Sequence, residues 1–127
     1  MRRDAIRRRA GGRCEYCRLP ETSLPAALFH IEHVIARQHG GDNRPSNLAL
    51  ACHRCNLHKG PNLAGIDADT GELAPLFNPR SDRWEEHFEL RGSVIVGLTP
   101  TGRTTVRVLD MNAPERVRLR ASLFRAP

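Results

Sequence analysis

Apolar and polar positions alternate along the first half of the chain in a way that predicts two strands. The segment ALFHIEHVIA, residues 27–36, alternates as a half-buried strand does. HGGDNRPSN, residues 39–47, has the Gly, Asn, Asp and Pro content of a turn or loop. LALAC, residues 48–52, is short and apolar, which indicates a second strand that returns beside the first.

Helical signals lie on both sides of these strands. RRDAIRRRA, residues 2–10, predicts a short arginine-rich helix that ends at Gly11 and Gly12. Its arginines either meet phosphates or form a solvated face. After the second strand, NLHKGPN begins a helical turn that Gly60 and Pro61 interrupt.

The second half of the chain is expected to be rich in β-structure. Residues 64–82 are predicted to form a loop that lies over the domain. Three strands are expected next, in RWEEHFEL, SVIVGLT and TTVRVLDM, with the tight turn PTGR between the last two. These segments cover residues 83–90, 93–99 and 104–111.

The last predicted element is a helix in NAPERVRLRASLF. Asn112 is a candidate N-cap with Glu115 three residues later, which is the capping-box pattern, and Pro114 suits the first turn. RVRLR within the segment also alternates as a strand does. In the helix, Arg116 and Arg120 lie one turn apart and could form a basic stripe that faces a nucleic-acid backbone.

Length and composition favour one small domain with a modest core. The 127 residues fit a single domain, residues 1–127, because single cores commonly form at about 100 to 150 residues. With 39% hydrophobic and 5% aromatic residues, the core needs a further stabilising cross-link. No stretch approaches the roughly 20 apolar residues of a membrane span, so a cytoplasmic location is expected.

The net charge of +6 comes from arginine, since Lys59 is the one lysine in the sequence. Arginine presents a planar fork that matches phosphate oxygens, so this bias suggests a polyanionic partner. The arginine usage of a GC-rich genome is the competing explanation. A second possible basic stripe would place Arg118 and Arg125 two turns apart on the terminal helix.

Two cysteine pairs carry the strongest chemical signal. Cys14 and Cys17 form one CxxC and Cys52 and Cys55 form another, which is the spacing of a four-thiolate structural zinc site. A redox CxxC is the main rival, but it does not explain two pairs without a βαβ pattern around them. Four cysteine ligands leave no open coordination position, so catalysis would need another ion.

The order of motifs over residues 13–60 resembles the HNH endonuclease family. The elements are a CxxC, Glu32-His33, a Gly-Gly turn, Asn47-Leu48, a second CxxC, and Asn56 followed by Lys59. The resemblance implies an α+β fold, a small zinc-stapled ββα-metal core of treble-clef-like type. A β-rich extension and a terminal helix would follow it, over about residues 66–127.

The resemblance also implies roles for individual residues. His33 would be the general base that deprotonates the attacking water, as a neutral imidazole can near physiological pH. Glu32 and Asn56 would bind one catalytic ion, Mg2+ or Mn2+, because hard cations prefer oxygen ligands. Asn47 would hold the hairpin loop and orient His33. The family often has Asp in place of Glu32, and some members have His in place of Asn56.

Strand geometry makes this pairing a structural question. Adjacent residues of a regular strand point to opposite faces, so Glu32 and His33 share a site only where the strand bends or ends. Irregular backbone is therefore predicted at this pair. In a regular strand, His30 and Glu32 would share a face and become the competing pair.

Double-stranded DNA is the expected partner. Candidate contacts to it are Lys59, Arg54, His58 and Arg37, each beside a motif residue. The few aromatic residues give little support to stacking on single strands. His87 lies outside the resemblance, and packing beside Trp84 and Phe88 is its default role.

The sequence thus favours an HNH-type endonuclease that hydrolyses DNA phosphodiester bonds with a structural Zn2+ and a catalytic Mg2+ or Mn2+. The first alternative is a zinc-dependent nucleic-acid-binding module that does not cleave. A second is a structural zinc protein that binds another protein, with arginines that serve solubility.

Overall fold

The computed structural model describes residues 2–124 as a series of short helices and three two-stranded antiparallel sheets. The helices are α1 (Arg2–Arg9), α2 (His53–Lys59), α3 (Trp84–His87), α4 (Pro100–Val108) and α5 (Pro114–Phe124). The strands are β1 (Phe29–His33), β2 (Leu48–Cys52), β3 (Ala64–Ile66), β4 (Leu73–Pro75), β5 (Phe88–Arg91) and β6 (Val94–Gly97). Single 3-10 turns lie at Glu21–Ser23, Ala26–Leu28, Arg37–His39 and Pro45–Asn47. This mixture confirms the predicted α+β class.

The β1–β2 hairpin and α2 form the predicted ββα unit. The register pairs Phe29 with Cys52 at one end and His33 with Leu48 at the other. Every residue of β2 is buried, as expected for an apolar strand with structure on both faces. Because α2 begins directly after Cys52, the hairpin and the helix are joined without a loop.

Helix α1 forms where the sequence predicts it and ends at its glycines. Gly11 and Gly12 both have φ of +67°, a left-handed conformation that glycine adopts without a steric cost. Ile6 is the buried side chain of the helix. The Arg9 guanidinium donates a hydrogen bond of 2.9 Å to the Pro45 carbonyl and another to the Leu48 carbonyl, which fastens α1 to the start of β2.

Two sequence predictions in the second half are wrong in part. The loop expected over residues 64–82 contains the β3–β4 hairpin, in which Ile66 pairs with Leu73. The strand expected over residues 83–90 divides into α3 and β5. Glu85 and Glu86 lie in the first turn of α3, where carboxylates interact favourably with the helix dipole.

The strand predicted over residues 104–111 is wrong, because most of this segment belongs to α4. The β-branched run favoured a strand, but Thr99 caps the helix by accepting a 3.0 Å hydrogen bond from the Gly102 amide. Pro100 occupies the first turn, where its missing N–H costs nothing. PTGR is therefore the beginning of a helix.

The predicted capping box before α5 is also wrong, although the helix itself is confirmed. The Asn112 side chain accepts a 2.9 Å hydrogen bond from the Ile95 amide and donates one of 2.8 Å to the Ile95 carbonyl. It therefore holds strand β6 and does not cap α5. Pro114 does begin the helix, as predicted.

Contacts with the ββα unit come from several parts of the extension. The Trp84 indole donates a 2.8 Å hydrogen bond to the Tyr16 carbonyl, and the Arg80 guanidinium binds the Glu15 carboxylate. Phe77 meets the Tyr16 ring edge to face, with centroids 6.3 Å apart. The buried core accordingly runs from α1 through β2 to Leu109 and Met111.

The Thr99 cap gives a direct test of the α4 assignment. Replacement of Thr99 by alanine should lower the free energy of unfolding by about 1 kcal/mol, the usual cost of an absent cap. Thr99→Ser keeps the hydroxyl and should retain most of the stability. Thr101→Ala changes a threonine two residues later as a control. Denaturant unfolding measures all three, and equal stability of Thr99→Ala and the parent chain would contradict the cap.

Candidate functional site

Four cysteines converge on one point of the core. Cys14 and Cys17 come from the turn after α1, Cys52 ends β2, and Cys55 lies in the first turn of α2. All four are buried and free of disulfides, and their sulfurs lie within 4.8 Å of one another. The Cys17 and Cys52 sulfurs are 3.7 Å apart. Tetrahedral zinc with Zn–S bonds of about 2.3 Å needs sulfurs about 3.8 Å apart, so the cluster fits a structural zinc ion.

The electrostatics of the cluster favour a bound cation. Burial raises the pKa of the Cys14 thiol well above its ordinary value, so buried thiolates this close need a positive charge among them. The Arg120 guanidinium of α5 adds a positive charge near the cysteine cluster. Burial lowers its pKa, and the thiols of Cys17 and Cys55 act in the opposite direction. Its Nη1 atom is buried and has no hydrogen-bond partner in the described part of the chain.

Burial of Arg120 changes the prediction of basic stripes on the terminal helix. Its guanidinium donates to the carbonyls of Ser93 and Met111 at 2.8 and 2.9 Å, and the side chain is fully buried. It therefore cannot form an exposed stripe with Arg116. Arg125 of the second expected stripe lies outside the described residues.

A second constellation lies in an open cleft of about 430 Å³ at the end of β1. Glu32 and His33 reach this cleft from the strand, and Asn56 reaches it from α2. Arg37 is exposed at its edge. The structure thus brings the three motif residues together around one space, which we call the β1–α2 cleft.

The predicted irregular backbone at Glu32 and His33 is not found. The ladder with β2 continues regularly through both residues, and the strand ends at His33. Strand alternation does place His30 and Glu32 on one face. His30, however, contacts the His53 ring, with 3.2 Å between Nε2 and Nδ1. Both Glu32 and His33 nevertheless line the β1–α2 cleft, at the point where the strand ends.

Glu32 is held from both carboxylate oxygens. The buried Tyr16 hydroxyl donates to Oε2, and the Lys59 ammonium lies 3.3 Å from Oε1. Burial raises the pKa of Glu32, while the positive charge of Lys59 acts against that rise. Sequence reasoning missed Tyr16, since no local pattern indicates a contact across 16 residues.

Lys59 is not an exposed phosphate ligand. Its side chain is 2% exposed and its ammonium donates a 2.8 Å hydrogen bond to the Val34 carbonyl. A buried ammonium needs such partners, and the Glu32 carboxylate supplies the opposite charge. Lys59 therefore fixes Glu32 and the end of β1, and the predicted nucleic-acid contact is corrected accordingly.

The His33 ring is oriented by Asn43. Nε2 of His33 lies 2.7 Å from Oδ1 of Asn43, which accepts, so in the neutral ring Nε2 is the donor and Nδ1 carries the lone pair. Asn43 follows the Gly-Gly turn and was not predicted as a site residue. An asparagine in the loop between β1 and β2 was its one available signal.

Asn47 holds the loop but does not touch the His33 ring in the way predicted. Its amide pairs with the backbone N–H and carbonyl of Ile35, each at 2.9 Å, and donates to the Asp42 carbonyl at 2.9 Å. Gly41 allows this packing, because a Cβ there would lie 1.7 Å from the Ile35 carbonyl oxygen. Asn47 is therefore a positioning residue for the loop that carries Asn43.

The remaining predicted contact residues differ in availability. Arg54 donates to the carboxylates of Asp110 and Glu115, so its charge is already paired, and its side chain is 23% exposed. His58 is exposed and lies 3.1 Å from the Arg54 guanidinium. Arg37 alone of the predicted contacts both is exposed and lines the β1–α2 cleft.

The donor set of the β1–α2 cleft suits a hard divalent cation. Glu32 offers a carboxylate and Asn56 an amide oxygen, and water or phosphate oxygens would complete such a shell. Two lone pairs of the carboxylate are engaged by Tyr16 and Lys59, which leaves two for an ion. No helix within residues 2–124 has the length and apolar character that a membrane span requires.

Comparison with known proteins finds similarity to a nuclease family in one segment of the chain. Residues 14–62 match the family model described as HNH endonuclease. The chain is also 28% identical over 121 residues to Septu protein PtuB of Bacillus thuringiensis, an alignment that covers 89% of this chain and 42% of that protein. This chain therefore spans less than half the length of that relative. No solved structure gives a significant match.

The four-cysteine cluster predicts a steep dependence of folding on zinc. Cys14→Ser removes one thiolate of the shell, and the variant should lose bound zinc and the cooperative thermal transition, because structural zinc binding is coupled to folding. Zinc content by atomic emission and thermal melting measure the two effects. A chelator added to the parent chain is the matched control and should give the same loss. Retained zinc and stability in Cys14→Ser would contradict the assignment.

Proposed function

Because residues 14–62 belong to the HNH endonuclease family, we propose that the protein is a metal-dependent endonuclease that hydrolyses DNA phosphodiester bonds. The family match implies a nuclease or another function that involves nucleic acid. The observation that carries the finer proposal is the β1–α2 cleft, in which Glu32, His33 and Asn56 line one space. A base and two oxygen ligands beside one another are the parts that hydrolysis of a phosphodiester requires.

His33 is proposed as the general base. Since Asn43 accepts from Nε2, the lone pair on Nδ1 is free to take a proton from water. The water oxygen then forms a bond to phosphorus as the bond between phosphorus and the 3′ oxygen breaks. The departing oxygen takes a proton from solvent, so the products are a 5′ phosphate and a 3′ hydroxyl.

Glu32 and Asn56 are proposed to hold the catalytic ion, Mg2+ or Mn2+. When bound, such an ion would stabilise negative charge on the phosphoryl oxygens and on the leaving oxygen. The protein contributes the position of the ligands. Tyr16 and Lys59 fix the Glu32 carboxylate, so little reorganisation is needed when an ion binds.

Double-stranded DNA is the proposed substrate, bound by a single domain that spans residues 1–127. The net charge of +6 supports association with a polyanion, and Arg37 at the cleft edge supports contact with the backbone. The same arginine is placed to meet a phosphate next to the one under attack. Contacts of this type position the chain on DNA without reading its sequence.

One observation favours a second candidate, a zinc-dependent nucleic-acid-binding module that does not cleave. Both oxygens of Glu32 are engaged inside the protein, so the contacts of Glu32 and Lys59 are also those of a buried structural ion pair. In that case zinc would be needed for folding, and added Mg2+ would change no activity. Metal-dependent cleavage therefore separates the two candidates.

Replacement of His33 tests the proposed base. His33→Ala should bind DNA as the parent does but cleave supercoiled plasmid about 100-fold to 10,000-fold more slowly, the usual contribution of general base catalysis. The assay uses zinc-loaded protein with added Mg2+ or Mn2+ and measures nicked and linear products. His39→Ala, at an exposed loop histidine outside the cleft, is the matched control and should cleave normally. If His33→Ala cleaves at the parental rate, His33 is not the base.

Replacement of Asn56 tests the proposed metal ligand. Asn56→Ala should move the Mg2+ concentration for half-maximal cleavage upward by roughly tenfold or more, because one oxygen ligand is lost. Asn62→Ala changes an asparagine outside the β1–α2 cleft and should leave the midpoint unchanged. Titration of plasmid cleavage with Mg2+ gives both curves. Superimposable curves for Asn56→Ala and the parent would reject Asn56 as a ligand.

A further inference from the structure

His33 lies on the boundary between two depressions of the surface. One is the β1–α2 cleft, and the other is a cavity of about 350 Å³ on the opposite side of the residue, toward α1. The second cavity is lined by Arg2 and Arg3 together with His33 and Asn43. Its apolar lining comes from Ile6, Ile31 and Leu48. We call this space the α1 cavity.

We propose that Arg2 and Arg3 form a phosphate-binding subsite in the α1 cavity, which holds the nucleic-acid strand beside the phosphate attacked at His33. The proposal deepens the proposed nuclease function and rests on it for the identity of the ligand. Arg2 and Arg3 lie outside the segment that matches the family model, since that match begins at residue 14.

The charges of Arg2 and Arg3 are available for an anion. Both side chains are exposed, and neither takes part in an ion pair among residues 2–124. Arg7 on the same helix differs, because it pairs with Asp4 and Glu21. Two unpaired guanidinium groups beside the proposed base therefore give the α1 cavity a positive potential.

The helix that carries these arginines is fixed relative to His33. Ile6 is buried beneath α1, and Arg9 ties its last turn to the carbonyls of Pro45 and Leu48. Arg3 also donates a 3.2 Å hydrogen bond from Nη2 to the Phe29 carbonyl at the start of β1. This bond uses one edge of the Arg3 guanidinium and leaves its other donors for a ligand.

A nucleic-acid strand carries its charges at short, regular intervals. Each strand of a duplex carries one phosphate per roughly 3.4 Å of helix axis. A strand that crosses His33 would place one phosphate in the β1–α2 cleft and a neighbouring phosphate in the α1 cavity. Arginine suits the second position because its planar fork can bind two phosphate oxygens at once. With Arg37 at the far edge of the cleft, basic side chains flank His33 on both sides.

The test compares two double variants that remove the same charge. Arg2→Ala/Arg3→Ala empties the subsite, and Arg8→Ala/Arg107→Ala removes two exposed arginines from helix positions outside the α1 cavity. Binding of a fluorescein-labelled 20-base-pair DNA duplex is followed by anisotropy over a NaCl series. The zinc-loaded full chain is used without added Mg2+ or Mn2+, so that binding is measured apart from cleavage.

The subsite predicts that Arg2→Ala/Arg3→Ala weakens binding at least about tenfold at low salt. It also predicts that the slope of log affinity against log salt falls by about 0.9, because one phosphate contact is lost. The control pair should change both quantities much less. Equal losses in the two double variants would overturn the proposal in favour of general electrostatic attraction, and unchanged binding in Arg2→Ala/Arg3→Ala would also overturn it.

A single variant distinguishes loss of the subsite from damage to the fold. Arg3 has a structural hydrogen bond, whereas the Arg2 side chain makes none within residues 2–124, so Arg2→Ala should melt at the parental temperature, weaken binding and lower the salt slope by part of the roughly 0.9 lost in the double variant. In cleavage assays the same variant should raise KM with little change in kcat, which a purely structural role would not do.

The binding result and the His33 result are separable. A subsite effect in protein that never cleaves DNA would support the phosphate contact and count against the nuclease. Cleavage that depends on His33 but not on Arg2 or Arg3 would support the nuclease and overturn the subsite.

Discussion

The convergence of four cysteine sulfurs is the constraint on which the rest of the structure depends. It joins the turn after α1 to the junction of β2 and α2, so the chain between residues 17 and 52 is closed into a loop. The β1–β2 hairpin lies inside that loop. A closure of this kind costs chain entropy on folding, and zinc binding would supply free energy that offsets the cost. Such a small core has few other means to position a hairpin accurately.

Around this point, the cleft is stabilised by polar contacts more than by apolar packing. A buried network joins the Glu32 carboxylate to the Tyr16 hydroxyl and to the Lys59 ammonium. Each group has a polar partner inside the protein, which replaces the water that it lost on burial. Removal of one member would leave an uncompensated charge or donor, which makes such networks sensitive to substitution. The same contacts give Glu32 a single orientation beside the cleft. Stability and the placement of a candidate ligand therefore depend on the same atoms.

Sequence reasoning predicted those parts whose signals are local. The helix before Gly11, the two strands around the Gly-Gly loop and the paired CxxC motifs each depend on neighbouring residues, and each is found in the structure. It failed where a long-range contact decides the outcome. Helix α4 has a strand-like β-branched run, but Thr105 accepts a 2.8 Å hydrogen bond from the Phe77 amide in a helical setting. Lys59 looked exposed because lysine usually is, and only the distant Glu32 explains its burial.

The hydrogen bond from the Trp84 indole to the Tyr16 carbonyl has a consequence for how this chain can change over evolution. Tyr16 lies between the first two cysteines, so a residue far outside the matched segment rests directly on the loop that presents two of the sulfurs. Recombination that transferred residues 14–62 alone to another protein would expose this loop, because the apolar ring of Phe77 would no longer cover it. The segment that matches the family model is thus smaller than the set of residues on which the cysteine loop depends.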